Sequence, residues 1–84
     1  MSGDRTPVAV DDIWPEDTDP EEGVVVDWYV SEGASVEDGE TLCTIQVEKV
    51  DIDVPAPVGG TLAEIVLHEE QVCGPGDTLA WIES

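Results

Sequence analysis

Basic residues are almost missing from this chain. Its 84 residues hold only Arg5 and Lys49 against 21 aspartates and glutamates, a formal net charge of -19. Phosphate binding needs clustered cations, so nucleic acid is excluded as a partner. Docking on an anionic membrane surface is disfavoured by the same repulsion. Histidine occurs once, at His68, and the two cysteines, Cys43 and Cys73, have neither a metal-ligand spacing nor a disulfide framework. With no Ser-His-Asp or Cys-His set in view, no catalytic residue and no metal ligand is assigned. The cysteines read as reduced thiols of a cytoplasmic protein. Long apolar runs are absent too: nowhere do about 18 apolar residues follow one another, and the first seven residues lack the apolar core of a signal peptide.

What is present fits one small domain, 1–84, with residues 1–7 expected to be flexible. A chain of this size buries roughly 60% of the surface it would expose unfolded, enough for one modest core and a site on the surface. The acidic residues are interleaved with valine, leucine and isoleucine, which argues for a folded domain with a carboxylate-covered surface rather than a disordered acidic tail.

Glycine and proline punctuate the chain often and no segment keeps a helical period over ten or more residues, so the fold class is all-β with short strands. Val8-Ala9-Val10 reads as a first strand and 11–23, with two prolines and many acids, as a loop. Within that loop Trp14 is an apolar exception expected to pack on the core. Val24, Val26, Trp28 and Val30, alternating with Asp27 and Ser31, predict a strand with one buried face. Residues 41–47 and 50–54 predict two further strands around Glu48-Lys49. Pro55 and Pro57 stop the second of these, because proline cannot continue a ladder. Residues 62–67 and 78–82 are the last strands, with a loop at Gly74-Pro75-Gly76 where Cys73 is expected to be exposed.

The chain also repeats itself. A shift of 37 residues carries Gly23 onto Gly60, Val26 onto Ala63, Trp28 onto Ile65 and Val30 onto Leu67. Val36 answers Val72 with a one-residue slip, and then Gly39 falls on Gly76, Thr41 on Thr78, Leu42 on Leu79 and Ile45 on Ile82. Two similar β-units that cannot bury their apolar faces alone should pack on each other. The predicted architecture is a flattened barrel or sandwich of two similar antiparallel sheets with an internal pseudo-two-fold.

The segment around Lys49 has a definite register. Pairing about Glu48-Lys49 puts Val47 opposite Val50, Ile45 opposite Ile52 and Cys43 opposite Val54, all on one face of a hairpin. Glu48 and Lys49 become the central residues of a two-residue turn. Such turns favour glycine or asparagine, because positive φ is needed there. Pairing and residue preference therefore disagree, as they do at functional sites. The chain's sole lysine stands at this point.

These residues resemble the biotinyl/lipoyl attachment family, most closely its lipoyl branch. The resemblance runs through nearly the whole chain: the segment from Gly23 through Trp28 and Gly33 to Val36, the Gly39-Glu40-Thr41-Leu42 step, the Val47-Glu48-Lys49-Val50 attachment turn, Asp53-Val54-Pro55-Ala56-Pro57 with Gly60, and the closing Gly76-Asp77-Thr78-Leu79 strand. Gln46 stands where lipoyl domains often place glutamate. The resemblance implies that a lipoate-attaching enzyme joins lipoic acid to Lys49 as an amide, with Val47, Glu48 and Val50 forming the attachment turn. It implies a carrier and not an enzyme, a domain or fragment of a dihydrolipoamide acyltransferase. Its partners would be the 2-oxo acid decarboxylase, the acyltransferase and the flavoprotein dihydrolipoyl dehydrogenase of a 2-oxo acid dehydrogenase complex. The isolated domain is expected to be a monomer.

Three alternatives share parts of this pattern. A biotin carrier has the same fold and tip but usually sets its lysine between methionines, whereas Lys49 lies between Glu48 and Val50 and the only methionine is Met1. A glycine-cleavage carrier is usually longer, with helical additions. An unmodified β-sandwich binding module would leave Lys49 bare.

At a charge of -19 the compact state repels itself unless salt screens it, which predicts a salt-adapted, halophilic protein. The thermal midpoint should rise between low and molar KCl. A midpoint indifferent to KCl would contradict this.

Overall fold

A computed structural model of the chain describes residues 4–10, 13–14 and 22–84. Eight strands run through them: β1 (Arg5–Ala9), β2 (Gly23–Trp28), β3 (Ser35–Val36), β4 (Thr41–Val47), β5 (Val50–Pro55), β6 (Gly60–Ile65), β7 (Val72–Cys73) and β8 (Thr78–Glu83). All pairings are antiparallel and form two four-stranded sheets, β5-β4-β2-β7 and β1-β8-β6-β3. Among the described residues there is no helix. The sandwich of two similar sheets expected from the repeat is the observed fold.

The sheets face each other through Val8, Val25, Leu42, Ile45, Val47, Val54, Leu62, Leu79 and Ile82, all fully buried. Each such side chain contributes roughly 1.5–3 kcal/mol by leaving water. Trp14 packs partly buried against this core, as its isolation in an acidic loop predicts. The rest of the 11–23 loop lies outside the described residues, apart from Ile13, Glu22 and Gly23.

The internal two-fold extends to individual hydrogen bonds. Ile65 N–H donates to the Glu32 carboxylate at 2.7 Å, and its mate, Trp28 N–H, donates to Glu69 at 3.4 Å. Gly33 N donates to Leu62 O and Glu70 N to Val25 O, both at 2.7 Å; Tyr29 N bonds Leu42 O and Val66 N bonds Leu79 O, both at 2.8 Å. Every mate is 37 residues away. Each half thus lends its turn to the sheet of the other half: β3 pairs with β6, and β7 with β2. Neither half can complete its sheet without the other.

The two-fold also corrects the repeat as read from residue types. Val36 is buried and pairs with Gly60; the residue that is buried and pairs with Gly23 is Cys73, not Val72. The shift is 37 throughout and there is no slip. Chemical likeness linked two valines, but burial links a valine and a cysteine. Cys73, expected at an exposed turn, is a core residue.

Two further expectations are revised. In β2 the buried residues are Gly23 and Val25, while Val24 and Val26 are exposed. A bulge between Val25 and Asp27 in the pairing with β4 resets the alternation, so only Trp28 turns back toward the core. Residues 5–7, expected to be flexible, lie in β1, where Arg5, Thr6 and Pro7 pair with Glu83, Ile82 and Trp81; residues 1–3 lie outside the described residues.

Burial pushes the Cys43 thiol from its ordinary 9.0 up to about 12, with the Cys73 thiol adding to the effect. Folding therefore favours protonated Cys43. That contribution is complete below pH 9 and is lost as pH rises toward 12. Cys43→Ala copies Ala80, the residue at the mirror position. Its unfolding free energy should fall less steeply with pH across this window than that of the parent chain. Equal slopes would contradict the assignment.

Candidate functional site

Among the described residues the β4–β5 hairpin is the longest continuous pairing next to a turn, and its register is the one its valines dictate. Val47 pairs with Val50, Ile45 with Ile52 and Cys43 with Val54. The β4 members of these pairs are fully buried; on β5, Val54 is buried, Ile52 half-buried and Val50 exposed. The hairpin thus grips the core with one strand and emerges from it along the other. Beyond the Val47–Val50 pair only Glu48 and Lys49 remain, and both are exposed.

Glu48 adopts φ 58° and Lys49 does not have a positive φ. This is the sign pattern of a type II′ turn, whose first central residue is normally glycine. A glutamate there costs of order 1 kcal/mol, sustained by the ladder behind it. The disagreement between register and residue preference is therefore resolved in favour of register. Any side chain at 49 is held at the crest of the reversal.

Lys49 forms no ion pair among the described residues. The other basic residue, Arg5, is engaged: its Nε lies 3.3 Å from Glu83 across the β1–β8 ladder. The sole lysine of a chain with net charge -19 thus stands at the hairpin tip, beside Glu48 and near Asp51 and Asp53 in sequence. Such an amine can be acylated by an incoming enzyme.

The outer surface of the hairpin carries a hydroxyl chain that the sequence did not signal. The Thr44 hydroxyl donates to Asp53 Oδ1 at 3.1 Å and lies 2.6 Å from the Tyr29 hydroxyl. With its hydrogen committed to Asp53, Thr44 accepts from Tyr29. This chain ties the end of β2 to both strands of the hairpin and braces it from outside. The pattern is invisible in sequence because Tyr29, Thr44 and Asp53 meet only once β2, β4 and β5 are in register.

Away from the tip, an open groove of about 450 Å³ lies on the two-fold, lined by the mates Trp28 and Ile65, Ser31 and His68, Glu32 and Glu69, together with Val30. Lys49 is not part of it. Its two carboxylates already accept backbone N–H groups, and the Trp28 indole donates to Leu67 O at 2.9 Å. Among the described residues no group of three or more His, Cys, Asp or Glu side chains could hold a metal ion.

The family model described as biotin-requiring enzyme, the biotin/lipoyl family, matches residues 18–82. The dihydrolipoyllysine-residue acetyltransferase component of the pyruvate dehydrogenase complex of Staphylococcus aureus is 33% identical over 63 residues, covering 75% of this chain. That of Staphylococcus epidermidis is 32% identical over the same length. The chain spans only 15% and 14% of these relatives. The lipoyl domain of the 2-oxoglutarate dehydrogenase complex from Azotobacter vinelandii superposes with a TM-score of 0.68 at 26% identity, over 100% of this chain and 98% of that one. A single-chain, multi-domain long-chain acyl-CoA carboxylase matches 82% of this chain with 8% of its own length, at a TM-score of 0.67 and 25% identity.

Replacing Glu48 by glycine relieves the positive φ. Glu48→Gly should raise the unfolding free energy in urea by up to about 0.5 kcal/mol, net of the greater freedom of glycine in the unfolded chain. A loss of stability would contradict the strained-turn geometry.

Proposed function

Because this chain belongs to the biotin/lipoyl attachment family, in its lipoyl branch, we propose that Lys49 carries lipoate as an amide and that the domain serves as the acyl carrier of a 2-oxo acid dehydrogenase complex. The observation that supports this most directly is the exposed Lys49, free of ion pairs among the described residues, at the crest of a rigid two-residue reversal.

The residues fit the group. Attachment requires the Nζ atom to attack an activated carboxyl carbon. A C–N bond forms, the activating group leaves that carbon, and the amine gives up a proton. An exposed tip lets an attaching enzyme close around the amine without unfolding any strand. The product loses the lysine charge, so the domain becomes more acidic by one unit. Lipoate supplies a disulfide that accepts acyl groups and reducing equivalents and returns to its oxidised form by thiol–disulfide exchange.

The domain's own part is mechanical and electrostatic. The β4–β5 ladder holds the base of the arm clear of the sheet, and tethering keeps the arm at high effective concentration near successive active sites. Those sites would belong to a 2-oxo acid decarboxylase, an acyltransferase and a flavoprotein dihydrolipoyl dehydrogenase. Glu48, Asp51 and Asp53 would steer the tip toward basic entrances on them. Val47 and Val50 contribute by closing the turn.

The likeness to an acyl-CoA carboxylase keeps biotin as the second reading. The absence of methionine beside Lys49 and the dihydrolipoyllysine relatives favour lipoate. Intact-mass analysis of the protein from its native host separates the two. A lipoyl amide increment that maps to Lys49 and disappears in Lys49→Arg is the expected result. A biotinyl increment selects the second reading, and no increment at all contradicts both.

A further inference from the structure

The internal two-fold gives each sheet a mate of the same geometry, so a difference between mates is not demanded by the fold. One difference is the hydroxyl chain itself. In the half that carries Lys49, the Tyr29 and Thr44 hydroxyls lie 2.6 Å apart and Thr44 reaches Asp53 Oδ1 at 3.1 Å. The mates are Val66, Trp81 and Pro7, with Pro7 opposite Trp81 as Asp53 is opposite Thr44. Val66 and Pro7 have no polar side-chain atom, so the chain has no counterpart there. The end strands differ as well. β5 and β1 are mates, and each pairs with one neighbour only. β1 is fastened to β8 by the Arg5–Glu83 ion pair, whereas the corresponding residues of the hairpin are Asp51 and Gln46, which cannot form one. Among the described residues β5 has one side-chain hydrogen bond, the one between Asp53 and Thr44. Thr44 is also the only described residue with a hydroxyl or charged side chain that is buried, at 7% exposure. A buried hydroxyl costs free energy unless it is hydrogen-bonded, and this one is bonded on both sides.

We propose that Thr44, held between Tyr29 and Asp53, is a positioning residue for acyl transfer to Lys49: the hydroxyl chain fixes the direction in which the hairpin leaves the sandwich, and so the place of Lys49 Nζ once an attaching enzyme has closed on the tip. The proposal rests on the reading of Lys49 as the attachment site. Thr44 is not part of the surface that the enzyme meets. At 7% exposure it offers almost nothing to touch, so its effect on attachment passes through β4 and β5. β5 emerges from the core between Val54, which is buried, and Val50, which is exposed, and Asp53 lies where that emergence begins. Without the tie at Asp53, the outer stretch of β5 is held by its ladder to β4 alone. The direction of the chain is fixed too: Tyr29 donates to Thr44 and Thr44 donates to Asp53, whose carboxylate only accepts. As the Nζ–C bond forms, the activating group leaves the carboxyl carbon and the amine gives up a proton. That step needs the amine within bonding distance of the carbon, and a displacement of about 1 Å costs up to a hundredfold in rate.

The test compares four forms of the domain. They are the parent chain, Thr44→Val, which keeps the shape and removes the hydroxyl, Thr44→Ser, which restores it, and Ile82→Val, a core change in the mate sheet that lowers stability without touching the chain. Each is lipoylated by the host's attaching enzyme with its activated donor, well below its thermal midpoint. Thr44→Val should lower kcat roughly tenfold and leave KM for the domain within about twofold of the parent. Its β5 amides should exchange hydrogen faster, while those of β1 keep the parent rates. Thr44→Ser and Ile82→Val should match the parent in kcat. If Thr44→Val, folded by circular dichroism, keeps the parent kcat, or if only its KM rises, the positioning role is wrong while the attachment site stands. An equal fall of kcat in Ile82→Val would reduce Thr44 to a stabilising residue and also overturns the proposal. If the parent chain itself gains no lipoyl group, the attachment reading fails first.

Discussion

The site depends on one pairing: Val47 opposite Val50. Side chains alternate between faces of a strand, so a slip of one residue in this ladder would turn Cys43, Ile45 and Val47 out of the core and drive Thr44 and Gln46 into it. Neither could be tolerated, because the first set is fully buried and Thr44 already bonds Asp53 on the outer side. The core therefore locks the ladder, the ladder leaves only two residues for the reversal, and the reversal holds Glu48 in a conformation it would not choose alone. Burial of roughly 1.5–3 kcal/mol per side chain outweighs a turn penalty of order 1 kcal/mol. The position of Lys49 follows from that inequality.

The two-fold explains how so small a chain makes the ladder rigid. Each half borrows a two-residue strand and a carboxylate from the other, with Glu32 bonding Ile65 N–H and Glu69 bonding Trp28 N–H. Symmetry also isolates what is particular to the site. The hairpin β4–β5 has its mate in the β8–β1 pair, which no turn joins. The tip exists in one half only.

Much of this was legible in the residues. The hairpin register, its two-residue tip and the 37-residue repeat follow from apolar pairs and glycine spacing, and the observed pairing agrees with them residue for residue around the tip. Other features were hidden for physical reasons. Val24, Val25 and Val26 give no alternation to read, so the bulge that buries Val25 alone had no signal. The strands β3 and β7 are two residues long, too short for a period. Cys73 replaces the valine of its mate, and a repeat traced by residue likeness slipped onto the exposed Val72. The attachment family was legible at Lys49 because the turn, the downstream Val54-Pro55-Ala56-Pro57 segment and both halves agree.

The central claim is that backbone position, and not merely the presence of an exposed lysine, makes the site. Transposing the two tip residues tests it: Glu48→Lys/Lys49→Glu keeps composition, charge and exposure while moving the amine by one residue. Incubated with the host's attaching enzyme and read by intact mass, the transposed domain should remain unmodified while the parent chain gains its lipoyl increment. Modification of the transposed lysine at the parent rate would contradict the account.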